Sequence, residues 1–248
     1  MKHFVHIFTA LAITVGMFSS VRAEQTLVLF DDFSGSLSTN WNLGRASDQG
    51  TGTHSLAIVD GKLEFDQAYD YIESKATYGN DVMVQFDYSG GTGSFQKGDI
   101  WVELVALTDA SNYTAGIYRS QYGGYNKDCI NVGRAPSTSD STVADYVQRN
   151  SGYYPPYLKE LDNVSPRQGK ITFAYADNKV QMRFENEGAE VINTVWVSTG
   201  NFTGTKIRIW GIGGAGGQQR YIDNVKIYAP SGTTDISPCT KVVVIPLN

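Results

Sequence analysis

The chain has 248 residues and a formal net charge of −5, with 41% hydrophobic and 18% charged residues. The negative charge argues against a nucleic-acid-binding surface rich in Lys and Arg, and the hydrophobic share argues against a disordered chain. No interior stretch approaches the roughly 18 consecutive apolar residues that a membrane-spanning helix needs, so we expect no span after the N-terminus.

The first residues have the pattern of a secretory signal peptide, which we assign to Met1–Ala23. Lys2 gives a basic start and an apolar run extends from Ile7 to about Phe18, followed by small residues. Val21 and Ala23 occupy the two positions before the cut that favour small side chains. An N-terminal anchor helix is the alternative, but the apolar run is short for a bilayer. We therefore expect a secreted protein, extracellular or periplasmic.

The mature chain would contain two cysteines, Cys129 and Cys239, and a single histidine, His54. Two cysteines in an exported chain are most simply joined in one disulfide. This disulfide would tie a mid-chain strand to the C-terminal tail, residues 231–248. Two Cys and one distant His do not provide the four locally spaced ligands of a zinc site.

Short segments with alternating apolar residues follow one another along the whole chain, and turn residues separate them. Alternation of this kind predicts strands with one face in a core. The predicted strands are Thr26–Phe30, Ser55–Val59, Lys62–Phe65, Tyr71–Lys75, Asp81–Tyr88, Ile100–Leu107, Tyr113–Arg119, Cys129–Val132, Lys170–Tyr175, Lys179–Glu185, Val191–Val197, Lys206–Ile212 and Tyr221–Tyr228.

The turns between these strands support the same interpretation. Asp60-Gly61 and Asp177-Asn178 have the residue types of tight hairpin turns. Only Tyr157–Leu161 is predicted to form a short helical turn, within the long irregular segment Gly133–Gln168. Many strands without helices indicate a single all-β domain, a sandwich or barrel, which we place at residues 24–230.

Motifs at the two ends resemble a known superfamily. The chain opens with Phe30-Asp31-Asp32-Phe33, continues with Trp41 and the hairpin Asp60-Gly61-Lys62-Leu63, and closes with Tyr221-Ile222-Asp223-Asn224-Val225. This combination resembles the concanavalin A-like (laminin-G-like) jelly rolls of secreted bacterial carbohydrate-active proteins. The resemblance covers roughly Leu27–Tyr228 and implies an antiparallel β-sandwich of jelly-roll type. The fold hosts lectins, binding modules, glucanases and lyases, so the activity must be read from the site.

The glucanase branch of this superfamily looks like E-x-D-x-x-E on one strand. Here the nearest segment is Asp99-Ile100-Trp101-Val102-Glu103, which lacks the leading Glu and the spacing of the nucleophile. Retaining hydrolysis needs two carboxylates about 5 Å apart. If the chain is an enzyme, we therefore expect a polysaccharide lyase rather than a glycoside hydrolase.

The lyase branch resembles Y-x-K-x-G-x-Y-x-Q, and the segment Tyr113–Gln121 is similar to it, although Ala115 stands at the lysine position. The resemblance implies that Tyr118 is the base and acid of a β-elimination. Arg119, Gln121 or His54 would neutralise the uronate carboxylate. The Arg-rich and Q-[IV]-H strands of that family are not found in the sequence.

A binding role rests on the local composition of the same region. Aromatic rings stack on sugar rings, and Arg and Lys pair with uronate or sulfate groups. A surface filled with Tyr for its strand propensity is the alternative. The candidate sugar contacts are Trp101, Glu103, Tyr118, Arg119, Tyr122, Tyr125, Lys127 and Arg134.

Alternation predicts which face of these strands is free. We expect Ile100, Val102 and Leu104 in the core, with Trp101 and Glu103 toward a groove that Tyr118 also lines and Arg119 borders. Tyr118 and Arg119 are neighbours on one strand, so either a bulge, which Gly116 makes possible, brings both into one groove, or only one of them contacts the ligand.

Calcium is a further expectation from the ends of the fold. Similar secreted jelly rolls hold a structural Ca²⁺ between the first and last strands, where Asp31 or Asp32 and Asp223 lie in this sequence. The alternative is that Asp223 and Asn224 cap a bulge in the last strand.

These observations predict a secreted jelly roll that binds an acidic extracellular polysaccharide in a groove on one sheet. A polysaccharide lyase with Tyr118 as base is the second hypothesis, and a structural matrix protein is the third.

Overall fold

A computed structural model describes residues 25–45, 54–66, 70–79, 81–90, 99–106, 113–120, 127–134, 157–160, 167–186, 191–194, 196–198, 204–212 and 220–230. For residues 99, 106, 113–120, 127–134, 157–160, 167, 186, 191–192, 197 and 212 the description covers the backbone only. The predicted signal peptide, the C-terminal tail with Cys239, and the candidate site residues Gln121, Tyr122 and Tyr125 lie outside the described residues.

Strands make up nearly all of the described chain, with one 3-10 helix at Leu37–Thr39. The strands are β1 (Gln25–Asp31), β2 (Trp41–Arg45), β3 (Ala57–Val59), β4 (Lys62–Phe65), β5 (Asp70–Ser74), β6 (Val82–Gly90), β7 (Asp99–Ala106), β8 (Tyr113–Ser120), β9 (Lys127–Arg134), β10 (Tyr157–Glu160), β11 (Arg167–Ala176), β12 (Lys179–Asn186), β13 (Val191–Asn193), β14 (Val197–Ser198), β15 (Thr205–Ile212) and β16 (Arg220–Pro230).

The strands form two sheets in which every described pair is antiparallel. The nine-stranded sheet has the order β13-β12-β11-β6-β16-β4-β3, with β1 also on β16 and β14 also on β12. The seven-stranded sheet has the order β10-β9-β8-β7-β15-β5-β2. Both sheets mix strands from the beginning, middle and end of the chain, as a jelly roll requires. The predicted all-β antiparallel sandwich is confirmed.

The hydrophobic core lies between the inner faces of the two sheets. Alternate residues of β6, namely Val82, Val84 and Phe86, are at most 1% exposed. From the other sheet Ile100, Val102 and Leu104 of β7 contribute equally buried side chains. Each such side chain stabilises the fold by about 1.5–3 kcal/mol through its burial. The period of two in the sequence therefore assigned these faces correctly.

The two predicted hairpin turns are confirmed by their backbone angles. Asp60 and Gly61 have φ values of 51° and 76°, and Asp177 and Asn178 have 51° and 57°. Two successive residues in the left-handed region give a turn whose twist matches that of the flanking strands. These turns connect β3 to β4 and β11 to β12.

Three local predictions differ from the structure. The helical turn predicted at Tyr157–Leu161 is wrong, because Tyr157–Glu160 forms the edge strand β10 paired with β9. Trp41–Arg45 was not predicted as a strand, yet it forms β2 against β5. The predicted strand Val191–Val197 is interrupted at Thr194, whose Oγ1 accepts the backbone N–H of Met182 at 2.9 Å. The short segments obtain their pairing from distant strands, which local patterns do not encode.

The last strand contains the bulge that the sequence offered as an alternative to a metal site. Its register with β6 shifts between Asp223 and Lys226, and Asn224 has a φ of 51°. The bulge that Gly116 made possible is not formed, because β8 pairs without interruption with both β7 and β9. In the described part of the chain, no helix has the length and apolar character to cross a membrane.

Candidate functional site

The outer face of the seven-stranded sheet, turned away from the core, carries two rows of side chains across β5, β15 and β7. In the first row Trp210 lies opposite Tyr71 on one side and Trp101 on the other. In the second row Arg208 lies opposite Glu73 and Glu103. We call these six residues the aromatic–ionic cluster. The intervening residues of the same strands point into the core, so the alternation itself places the cluster outside.

The ionic row is held together by Arg208. Its Nη2 and Nε donate to Oε2 of Glu73 at 2.6 and 3.0 Å, and its Nη1 donates to Oε2 of Glu103 at 3.4 Å. Lys206 adds a contact from Nζ to Oε1 of Glu73 at 3.2 Å. Burial opposes the charge on Arg208, but Glu103 and Glu73 outweigh it and raise the pKa of the guanidinium. Two cations thus balance two anions in this row.

The aromatic row packs against the same guanidinium. The carbon Cζ of Arg208 lies 4.5 Å from the ring centre of Tyr71 and 5.2 Å from that of Trp210. The rings of Tyr71 and Trp210 are 4.5 Å apart and tilted by 53°. Contacts of this geometry are favourable cation–π and aromatic interactions. Arg208 is therefore fixed in orientation by two rings as well as two carboxylates.

Gly44 on the edge strand β2 lies opposite Tyr71 in the register. A Cβ atom at Gly44 would occupy the space taken by the Tyr71 ring. The ring consequently lies directly over the backbone of β2. This contact extends the aromatic row to the edge of the sheet.

The predicted faces of β7 are correct, but the predicted exposure is wrong. Trp101 and Glu103 lie opposite to the core face, as expected, yet they are only 0% and 1% exposed. The hydrogen bond that Oε2 of Glu103 accepts from the indole Nε1–H of Trp210 at 2.7 Å offsets the cost of burying this carboxylate. Trp101 and Glu103 are thus the buried members of the cluster. The side chains that solvent can reach are those of Tyr71, Glu73 and Arg208, together with the adjacent Lys206.

The backbone register extends the two rows toward β8 and β9. Gly116 pairs with Trp101 and Thr114 with Glu103. Tyr118 and Arg119 lie further along β8, and Lys127 and Arg134 lie on β9 opposite Ser120 and Tyr113. The side chains of Tyr118, Arg119, Lys127 and Arg134 lie outside the described residues. The structure thus places these predicted site residues on strands of the same sheet.

His54 does not belong to the cluster. It is half-buried, and its Nδ1 has no hydrogen-bond partner among the described residues. The next residue, Ser55, donates to Oδ2 of Asp70 from its N–H at 2.8 Å and its hydroxyl at 3.1 Å. Arg45 lies 3.5 Å from the other oxygen of Asp70. His54 therefore lies beside an ionic contact between β2 and β5.

The three aspartates predicted to bind calcium lie on or next to the paired strands β1 and β16, and the first two accept hydrogen bonds from their neighbours. Oδ1 of Asp31 accepts the N–H of Phe33 at 2.9 Å, and its Oδ2 accepts Nδ2 of Asn40 at 2.9 Å and Nε1 of Trp41 at 2.8 Å. Oδ1 of Asp32 accepts the N–H of Ser34 at 3.0 Å, and hydrogen bonding with Ser34 lowers its pKa.

Asp223 pairs across the sheet with Asp87 of β6, and on the other side of β16 Asp31 pairs with Val225. Among the described residues no group of three or more His, Cys, Asp or Glu side chains could hold a metal ion. N–H donors already contact both oxygens of Asp31. Calcium at these aspartates stays a prediction.

Four of the cluster residues were absent from the sequence-based candidates, namely Tyr71, Glu73, Arg208 and Trp210. The alternating pattern of β15 had assigned Ile207 and Ile209 to the core, which leaves Arg208 and Trp210 outside. An arginine and a tryptophan on the strand face away from the core were the sequence signal that could have identified this site. The sequence did not show that β15 and β5 lie beside β7.

Several solved structures have the same fold at very low sequence identity. A legume lectin-like domain from Entamoeba histolytica matches 81% of this chain and 96% of its own, with 9% identity and a TM-score of 0.56. The Ca²⁺/Man-bound exoplasmic/lumenal domain of VIP36 matches 89% of this chain and 92% of its own, with 9% identity and a TM-score of 0.57.

A β-1,3-glucanase from Mycobacterium marinum matches 81% of this chain and 98% of its own, with 14% identity and a TM-score of 0.51. No protein-family model and no curated protein matches the sequence. At these identities the likeness concerns the fold. This chain is an antiparallel β-sandwich with the concanavalin A-like jelly-roll fold.

Proposed function

We propose that the protein is a secreted carbohydrate-binding protein that holds an extracellular polysaccharide on the outer face of the seven-stranded sheet. The observation that carries this proposal is the aromatic row of Tyr71, Trp210 and Trp101 on the face that does not pack against the second sheet. Large aromatic side chains on such a face contribute nothing to the core between the sheets. The partly accessible ring of Tyr71 provides flat apolar surface for a sugar ring, and the buried Trp210 packs against it.

The ionic row supplies the polar part of such a site. Glu73 accepts and Arg208 and Lys206 donate hydrogen bonds, and each is partly accessible at 12–26% of its side chain. A pocket that combines aromatic walls with a few fixed polar groups is typical of ligand recognition. The buried contacts of Glu103 and Trp210 hold these groups in place before a ligand arrives, which lowers the entropic cost of binding.

An acidic polysaccharide is the ligand class that we favour. The aromatic–ionic cluster is itself balanced in charge, so the preference rests on Lys127 of β9. Its register partner Ser120 alternates in phase with Gly116, the partner of Trp101, so the position of Lys127 continues the face of the cluster. Arg and Lys pair with carboxylate or sulfate groups of a sugar.

The proposal is tested by measuring the binding of alginate and polygalacturonate to the secreted protein. Tyr71→Ala removes the accessible ring, and we expect at least a tenfold loss of affinity. Tyr228→Ala, on β16 of the other sheet, is the matched control and should bind like the wild type. Equal affinity of the Tyr71 variant, or no binding of either polymer by the wild type, would overturn the proposal.

A polysaccharide lyase remains the second candidate, because β8 with Tyr118 lies next to β7 without a break in register. The same samples are followed for the ultraviolet absorbance of the unsaturated uronate that β-elimination forms. In a lyase, Tyr118→Phe should abolish turnover with little loss of binding, since it removes only the phenol hydroxyl. Binding without any rise in absorbance supports the binding protein.

A further inference from the structure

The nine-stranded sheet carries a groove on its own outer face, on the opposite side of the sandwich from the aromatic–ionic cluster. Its volume is about 440 Å³, within the range of roughly 300–1,000 Å³ that is common for ligand pockets. Strands β4, β6, β11, β12 and β16 all contribute to its walls. We call it the outer groove. Six polar or aromatic side chains line it, namely Lys62, Asp87, Lys170, Glu185, Tyr221 and Asp223.

Two carboxylates face each other across the floor of the outer groove. Asp87 of β6 and Asp223 of β16 are direct partners in the register. Like charges directly opposite each other in a sheet are destabilising. The bulge at Asn224 reduces this cost, since its Nδ2 donates to Oδ2 of Asp87 at 3.0 Å and its N–H donates to Oδ1 of Asp223 at 2.7 Å. The remaining oxygen of each carboxylate accepts no hydrogen bond from the described residues.

Two lysines border these carboxylates without neutralising them. Lys170 is the register partner of Asp87 on the other side of β6, and Lys62 lies on β4. Within the described part of the chain neither lysine forms an ion pair with a groove carboxylate. Glu185 is instead paired with Arg183 at 2.8 Å. The groove therefore presents carboxylate acceptors and ammonium donors that are not paired with one another.

An aromatic ring completes the wall of the groove. The hydroxyl of Tyr221 donates to Oε1 of Glu64 at 3.0 Å, which fixes the orientation of the ring beside Asp223. A fixed ring next to separated hydrogen-bond donors and acceptors is a suitable surface for a sugar, whose hydroxyls both donate and accept.

We propose that the outer groove is a second carbohydrate site, which binds a neutral mono- or disaccharide. Asp87 and Asp223 would accept hydrogen bonds from neighbouring hydroxyls, and Lys62 and Lys170 would donate to others. A uronate is disfavoured, because its carboxylate would have to lie beside two aspartates. This site is independent of the proposed polysaccharide face, since it is built from the other sheet.

Two sites on opposite sheets give the molecule a bridging capacity. A chain bound on one side and a sugar bound on the other would be separated by the full thickness of the sandwich. Avidity for a surface that displays both ligands then exceeds the affinity of either site alone. The second site would thus attach the protein to a mixed glycan matrix.

The experiment is a calorimetric titration of the secreted protein with cellobiose, maltose, lactose and mannobiose at millimolar concentrations. The double variant Asp87→Asn/Asp223→Asn keeps the size of both side chains and removes both charges. We expect at least one disaccharide to bind the wild type, and the double variant to bind it at least tenfold more weakly. Asp32→Asn, an exposed aspartate in the turn after β1, is the matched control and should leave affinity unchanged.

Folding and alginate binding of the same variants separate the outcomes. The double variant should unfold at the same or a higher temperature, because the like-charge pair is gone. It should also bind alginate like the wild type, whereas Tyr71→Ala should still bind the disaccharide. The inference is overturned if no disaccharide binds the wild type or if the double variant binds it unchanged. Loss of both ligands in a folded double variant overturns it as well, since one site would then serve both.

Discussion

Glu103 and Trp210 are joined by a hydrogen bond of 2.7 Å between a buried carboxylate oxygen and the indole N–H, on the sheet face turned away from the core. Both side chains are about 1% exposed. A carboxylate tolerates such burial only when donors surround it, and here Trp210 and Arg208 provide them. The accessible residues Tyr71 and Arg208 pack against this buried pair, Tyr71 on the Trp210 ring and Arg208 on both side chains.

Trp210→Phe should lower the free energy of unfolding by about 2–3 kcal/mol, because a buried carboxylate loses a donor and the ring loses volume. Urea denaturation measures the change. Trp196→Phe is the matched control, since Trp196 is 37% exposed, and it should change stability by less than about 0.5 kcal/mol. Equal effects of the two substitutions would contradict the importance assigned to the Glu103 contact.

Asp31→Ala should destabilise the fold by about 2–3 kcal/mol, because the carboxylate accepts hydrogen bonds from Phe33, Asn40 and Trp41. A chelator should not change this loss if the stabilisation comes from hydrogen bonds alone. Thermal denaturation of the wild type and the variant, each with and without EDTA, measures both effects. A chelator that destabilises the wild type but not the variant would restore calcium at Asp31.

Tyr78 makes stability sensitive to alkaline pH. Burial raises the pKa of its phenol above the ordinary range, and Ser74 offsets only part of this shift. Below about pH 10 the phenol is protonated in both the folded and the unfolded chain. Above that pH the unfolded chain loses the proton first, so the free energy of unfolding falls as pH rises.

Tyr78→Phe should therefore reduce the loss of stability between neutral and strongly alkaline pH. At neutral pH the variant should be as stable as the wild type or more so, because the contact of the buried Tyr78 hydroxyl with Ser74 falls short of normal hydrogen-bond geometry. Urea midpoints at several pH values measure the effect. Tyr228→Phe on β16 is the control, and an identical pH profile for both variants would refute the assignment to Tyr78.

If the protein is secreted as we propose, Cys129 and Cys239 should be joined. Cys129 lies on β9, and Cys239 lies outside the described residues. A crosslink that closes a loop of this length stabilises a fold by roughly 4–5 kcal/mol in the chain-entropy treatment. Peptide mapping without reductant should yield one linked peptide pair. Recovery of two free thiols from freshly secreted protein would exclude the bond.

The sequence determined the fold class and the faces of the strands. The period of two in segments such as Val82–Phe86 and Ile100–Leu104 follows from the geometry of a strand, so it identified the buried positions correctly. The hairpins at Asp60-Gly61 and Asp177-Asn178 were equally legible, because their backbone angles depend on residues adjacent in the chain. Local conformation is encoded locally, which is why these predictions are confirmed.

Only the tertiary structure decided which strands lie side by side. Glu73, Glu103 and Arg208 are far apart in the sequence, and the order β7-β15-β5 places them in one row. The same pairing buries Glu103, and the pairing of β16 with β6 places Asp223 opposite Asp87. Strand order is set by the sum of many weak contacts over the whole sandwich, so no short motif reports it. The sequence therefore predicted which residues share a face of each strand. It did not predict which strands lie beside one another, and that arrangement gives the face its chemistry.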